Sequence, residues 1–321
     1  MEHDMIPLDV LKAVKTIITH RNCSDGTASA IILQDVFSTA SVRFLQYDTE
    51  GHQKLQAEPG MLFCDMSPPE DRVDEFVAAG AIVLDHHATV EPLVAKFGKL
   101  GVFADLKQEP GVSGAVLAYR EVWLPLTHWT TLHKGFAEWF VRLAGIHDTW
   151  QTQDPLWRKS CELNEILRFY PNDWWLSRGL GRLADRWETD FSELGKNLLE
   201  KHEAKVQRAT DGGFRWTSPQ GTKVIIFEGV TLASGASEVL GSQVDLVAAF
   251  NYFTDNGQPK VIWSLRSHTS FDCGAFAKER GGGGHTKSAG FGAKVQEGDA
   301  NPYDYFKRVL EYVEMMQEAR G

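Results

Sequence analysis

The sequence is poor in cysteine: four in 321 residues (Cys23, Cys64, Cys161 and Cys273), none in a CxxC pair. That argues against a disulfide framework and a structural thiolate zinc site, and it suits a reducing compartment. A long apolar run is also lacking. Glu2, His3, Asp4, Lys12 and Lys15 interrupt the first twenty residues, so neither a signal peptide nor a spanning helix is expected, and the protein is expected to be cytoplasmic with no membrane partner. Positive charge is short as well, with 33 Lys and Arg against 43 Asp and Glu, a net charge of −10. A protein that grips extended polynucleotides needs many cationic contacts to phosphates. If the substrate is a phosphate ester, it is therefore expected to be small or short, with bound cations and a local basic pocket supplying the positive charge.

What is present is an ordinary globular composition, 43% hydrophobic, in a chain longer than one core usually serves; two domains are expected. Short apolar or β-branched runs at 16–19, 42–46, 61–64 and 81–84 alternate with helix-compatible stretches such as 27–37 and 70–79. That order predicts a mainly parallel sheet covered on both faces. A helix is expected over about 131–150, then tryptophan- and leucine-rich helices over 155–195, and one or two solvated helices over 181–210 that end near Asp211-Gly212-Gly213. Strands are expected at Lys223–Phe227, Asp245–Phe250 and Lys260–Arg266, before the run Gly281-Gly282-Gly283-Gly284-His285.

Three of the first-half runs end directly in polar clusters: His20, then Asp65, then Asp85-His86-His87. Ligands of open α/β sheets gather beyond the carboxyl ends of the strands, so these clusters are expected to meet in one crevice. Carboxylates and imidazoles without a thiolate majority suit a hard or borderline divalent cation: Mn²⁺ first, Mg²⁺ or Co²⁺ as alternatives, one or two ions. Two adjacent histidines at a strand end are hard to bury without partners. A hydrogen-bonded pair at a loop start is the plainer reading of the triplet.

In order, the chain carries His20-Arg-Asn-Cys-Ser-Asp25-Gly26, Cys64-Asp65, Asp85-His86-His87 and His147-Asp148-Thr149. This series resembles the DHH phosphoesterase superfamily. The run Gly281–Gly284 with His285, completed by Ala289-Gly290-Phe291, resembles the signature of the glycine-rich DHHA1 domain joined to it. The likeness spans His20 to Phe291. It implies an α/β fold: a mainly parallel-sheet DHH domain (1–195), a helical linker (196–213) and a smaller α/β DHHA1 domain (214–321). It also implies one metal held by His20 and Asp65 and a second held by Asp25, Asp65, His86 and Asp148. His87 would contact the scissile phosphate and Asp85 would orient an imidazole, so that Asp65, Asp85, His86 and His87 form the catalytic set. Arg266, Gly282, Gly283, Gly284 and His285 are the implied substrate contacts, the glycines through backbone N–H groups with a helix start behind them. For Arg266, a surface arginine at a strand end stands as an equal reading.

Two positions depart from the pattern. Cys23 stands where family members commonly carry Asp; the alternatives are a thiolate ligand favouring a softer ion, Asn22 or a water in its place, a weak first site, or a small semi-buried residue without a role. Trp150 stands where short-RNA-degrading members usually place glycine. Ten tryptophans are present, nearly all in the helical region, where packing accounts for them, so none is assigned to the site. The composite expectation is a metal-dependent phosphoesterase of short oligonucleotides or small nucleotides such as 3′-phosphoadenosine-5′-phosphate, with a cleft between domains as the substrate site and a homodimer as one compatible state. An exopolyphosphatase or cyclic-dinucleotide phosphodiesterase is the enzymatic alternative. A non-catalytic nucleotide-binding regulator is the alternative from another class.

Overall fold

A computed structural model describes residues 6–47, 49–128, 130–255, 258–294 and 301–318. The chain forms two compact units, Met1–Leu199 and Glu200–Gly321. The division falls inside the helix Ser192–Gly212.

The first unit is built on a five-stranded sheet: β1 (Thr16–His20), β2 (Ser41–Leu45), β3 (Met61–Cys64), β4 (Ile82–Asp85) and β5 (Gly101–Phe103). All pairings are parallel, in the order β2-β1-β3-β4-β5. Alternate residues feed opposite faces, as the pleat requires. Ile17, Leu62, Ile82 and Leu84 enter one hydrophobic cluster, whereas Ile18, Phe63 and Val83 enter another. Burial on both faces explains why β1, β3 and β4 read as apolar or β-branched runs, whereas β2 keeps Ser41 and Arg43 exposed. The larger cluster also takes in Trp123, Trp175 and Trp187 from the helices, in line with packing as the reason for most of the tryptophans. The helix Ser24–Val36 is buried at every position from Ser24 to Leu33.

The second unit holds a mixed sheet: β6 (Phe214–Thr217), β7 (Lys223–Glu228), β8 (Leu246–Asp255), β9 (Gln258–Arg266), β10 (Gly283–His285) and β11 (Ser288–Lys294). Its order is β10-β11-β9-β8-β7-β6, and only β7 and β8 pair in parallel. Val224 and Ile226 pack on one side with Phe276, Phe306 and Leu310, while Ile225 and Phe227 pack on the other with Ala233, Ala236 and Leu240. Together the units make the α/β architecture expected, a parallel sheet followed by a second α/β unit. Among the described residues, no helix is long and apolar enough to cross a membrane.

Candidate metal centre

The strand order 2-1-3-4-5 reverses direction between β1 and β3, and a crevice opens at such a switch point beyond the carboxyl ends. His20 ends β1 and Asp65 follows β3. Asp25 lies in the first turn of the helix after β1, His86 follows β4, and Asp148 ends the helix Thr131–Asp148.

These side chains converge. His86 Nε2 lies 3.2 Å from Asp65 Oδ1 and 3.3 Å from Asp148 Oδ2, and His20 Nδ1 is 3.9 Å from Asp65 Oδ2. Three sets have ligand atoms all within 4.8 Å of one another: His20, Cys23 and Asp65; Asp65, His86 and His87; and Asp25, His86 and Asp148. Asp25 and Asp65 are 0% and 1% exposed. Burial, then the charges of Asp25 and Asp148, pushes the Asp65 carboxyl well above the usual carboxylate range. Burial and Asp25 likewise push Asp148 up to about 6. Crowded buried carboxylates repel one another, and a divalent cation relieves that repulsion. One ligand-capable atom in the middle of this set, Asp65 Oδ2, is buried with no hydrogen-bond partner. The oxygen and nitrogen donors therefore fit a divalent metal.

Cys23 joins this cluster. Its Sγ lies 4.0 Å from Asp148 Oδ1. Burial, then the charges of Asp65, Asp148 and Asp25, raises the thiol pKa, so without a cation the group is a neutral thiol.

Asp85 has a different place. Its Oδ1 accepts from the His86 and His87 backbone N–H groups at 2.8 and 3.0 Å and pairs with His87 Nδ1 at 2.7 Å. Its Oδ2 accepts from Ser67 Oγ at 2.7 Å and from Tyr47 Oη at 3.5 Å. Asp85 thus fixes His87 and is saturated by its own chain. Burial opposes the charged form of His87, but the Asp85 hydrogen bond and charge outweigh it, and the imidazole pKa stands above its ordinary value.

A contribution not foreseen from the sequence comes from Ser113-Gly114-Ala115. Asp25 Oδ1 accepts from Ser113 Oγ at 2.5 Å and from the Ala115 N–H at 3.2 Å, at the start of the helix Gly114–Ala118. A Cβ on Gly114 would lie 2.5 Å from Asp65 Cβ and 2.8 Å from Asp25 Oδ2. Only glycine lets this backbone sit against both carboxylates. The faint sequence signal was a serine ahead of a small-residue helix.

The sequence matches no family model and no curated protein. Solved structures do match. A pGpG-specific phosphodiesterase, PggH from Vibrio cholerae, aligns over 96% of this chain and 100% of its own, with 13% identity and a TM-score of 0.52. The DHH domain of a member of a ribosomal-protein family aligns over 95% and 87%, with 12% identity and a TM-score of 0.56. The exonuclease RecJ bound to manganese aligns over 95% and 92%, with 16% identity and a TM-score of 0.56. The chain has the DHH-superfamily fold.

Within the second unit of this DHH-superfamily fold, one expectation needs correction. The glycine run does not lead into a helix. Residues Gly283–His285 are β10, paired antiparallel with β11 through Gly283–Gly290, Gly284–Ala289 and His285–Ser288, and the turn at Thr286-Lys287 returns the chain to the sheet. No helix dipole stands behind these glycines. Gly282 and Gly284 have a reason internal to the hairpin. A Cβ on Gly282 would meet Gly290 O at 2.2 Å, and Gly284, at φ +135°, would press one onto Ala289 Cα at 2.5 Å. Gly283 is open on that side. The side chain of His285 lies outside the described residues.

Arg266 ends β9 opposite Ser288. It is half-buried and donates to Ser234 Oγ at 3.0 Å, Ser264 Oγ at 3.0 Å and Leu265 O at 2.8 Å. Among the described residues no carboxylate pairs with it. Burial lowers its pKa. A cation held by neutral groups alone suits an incoming anion.

Proposed function

We propose that this chain is a cytoplasmic, divalent-metal-dependent phosphoesterase that hydrolyses short oligonucleotides or small nucleotides. The observation that carries the reading is the convergence of buried Asp25, Asp65 and His86 with half-buried His20 and Asp148 at the switch point of the parallel sheet. In this reading His20 and Asp65, with Cys23 beside them, would hold one ion, and Asp25, Asp65, His86 and Asp148 would hold a second. Mn²⁺ is the leading ion, with Mg²⁺ and Co²⁺ in the same ligand class. Bound there, such ions supply Lewis acidity toward phosphoryl oxygens and a water acidic enough to act as nucleophile near neutral pH.

The chain's own groups do the rest. Ser113 and the Ala115 N–H hold Asp25 in place. Asp85, fixed by Ser67, ties down His87 Nδ1 and leaves Nε2 for a phosphate oxygen, and the raised pKa of His87 favours its cationic form. On the second unit, Arg266 and the Gly282–Gly284 and His285 hairpin are the proposed anion-binding residues. Two fold relatives support the substrate class, one being a pGpG-specific phosphodiesterase and the other an exonuclease with bound manganese.

The test is a panel assay with Mn²⁺, Mg²⁺, Co²⁺ and Zn²⁺ against dinucleotides, 3′-phosphoadenosine-5′-phosphate, cyclic dinucleotides, inorganic polyphosphate and longer single strands. Metal-dependent hydrolysis of the short substrates, lost in Asp65→Asn, is expected. Full activity in Asp65→Asn would overturn the metal assignment.

A further inference from the structure

Three non-glycine residues with left-handed backbone occur among the described residues: Asn22, Asp65 and Trp150, at φ 59°, 58° and 58°. Asp65 belongs to the acidic cluster, Asn22 directly precedes Cys23, and Trp150 follows Asp148 by two residues. Asn and Asp tolerate that conformation because their short side chains bond locally. Tryptophan has no such relief, so Trp150 is the strained one.

Its position explains the conformation. The helix Thr131–Asp148 closes in a Schellman motif, with the Gln151 N–H bonded to Ile146 O at 2.9 Å and the Trp150 N–H to His147 O at 3.2 Å. Trp150 occupies the C′ site, where the left-handed residue is usually glycine. A glycine would satisfy the backbone without strain, so the requirement for Trp150 lies in its side chain.

Packing does not supply that requirement. Trp150 is 42% exposed, whereas Trp123, Trp175 and Trp187 are almost fully buried. Its ring is nevertheless fixed in place. It meets Trp157 edge-to-face at 5.2 Å and His147 edge-to-face at 6.0 Å, and His147 stacks on Trp157 at 5.7 Å with 6° between planes. Two Cα–Cα steps separate it from Asp148, at most about 7.6 Å, and Asp148 faces His86 within the cluster. A partly exposed indole held by two aromatic neighbours, two residues along the chain from a proposed metal ligand, is suited to stack a nucleobase.

We infer that Trp150, backed by Trp157 and His147, is a nucleobase-stacking platform, so that the substrate carries a purine or pyrimidine next to the bond that is cut. The inference rests on the phosphoesterase reading of the cluster and narrows it, because inorganic polyphosphate has no base to stack.

Calorimetry on the full chain with Mn²⁺ tests this, comparing adenosine 5′-monophosphate with ribose 5-phosphate. The wild type is expected to bind the base-bearing ligand about tenfold tighter or more, in keeping with the stacking contributions of aromatic side chains. Trp150→Ala and Trp150→Gly are expected to lose most of that ratio and to bind ribose 5-phosphate as the wild type does; Trp150→Phe is expected to keep it. Trp150→Gly also removes the backbone strain, so its melting temperature should not fall, which separates stacking from folding. Equal affinity of the wild type for the two ligands, no binding of either, or an unchanged ratio in Trp150→Gly overturns the inference. The hydrolysis panel reports independently: base-dependent binding without cleavage of any phosphoester would sink the enzymatic reading and leave the platform standing.

Discussion

His87 Nδ1 lies 2.7 Å from Asp85 Oδ1, on a carboxylate that is fully buried and also accepts from Ser67 Oγ and from two backbone N–H groups. This pairing fixes which imidazole nitrogen remains for a ligand. Asp85→Asn keeps the shape but removes the charge. Its kcat is expected to fall about 10- to 100-fold, the usual cost of losing a carboxylate behind a functional histidine. Metal content by elemental analysis should stay at the wild-type level. A loss of metal would instead place Asp85 among the ligands.

Asp148 gives a pH prediction for the metal-free protein. Its pKa is about 6 in the folded chain against an ordinary 3.8. Between those values the folded state keeps a proton that the unfolded chain has released. The stability contributed by this group is therefore present near pH 4, falls as pH rises toward 6, and stays lost above it. Asp148→Asn mimics the protonated form. Without metal, the variant should melt with the wild type near pH 4 and a few degrees above it at pH 7. Mn²⁺ should raise the melting temperature of the wild type far more than that of the variant. Parallel melting curves across the range would contradict the shift.

Cys23→Asp restores an oxygen donor between His20 and Asp65. Tighter Mn²⁺ binding, by about tenfold, is expected in titration calorimetry, together with higher activity at limiting Mn²⁺. A fall in activity would show that the thiol itself is required.

Arg266→Ala removes a half-buried cation held, among the described residues, by hydroxyls and a carbonyl. KM is expected to rise about tenfold with little change in kcat, and Arg266→Lys to recover only part of it, because a point charge does not replace the guanidinium fork. Mn²⁺-induced thermal stabilisation should be unaffected. An unchanged KM would return Arg266 to a structural role at its strand end.

The cluster residues were legible because β1, β3 and β4 are buried on both faces and then stop at a polar residue, so His20, Asp65 and the Asp85 triplet stand out. Asp148 was legible as the end of a long amphipathic helix. Ser113 was not, because its bond to Asp25 crosses 88 residues and nothing local marks it. Tyr47 and Ser67 escaped for the same reason. The β10–β11 hairpin escaped because a glycine run has no side-chain alternation to read, and β5, at three residues, is too short to show a period. At Trp150 the missing glycine was visible, but the left-handed backbone that gives it meaning was not.

Gly114 leaves a trace of another kind. It ligates nothing, yet a single methyl group there collides with two of the acidic side chains. In a deep mutational scan, the tripeptide Ser113-Gly114-Ala115 should therefore be as intolerant as the carboxylates themselves. A search for distant relatives that weights only the proposed ligand positions would pass over the segment that sets how closely those positions approach.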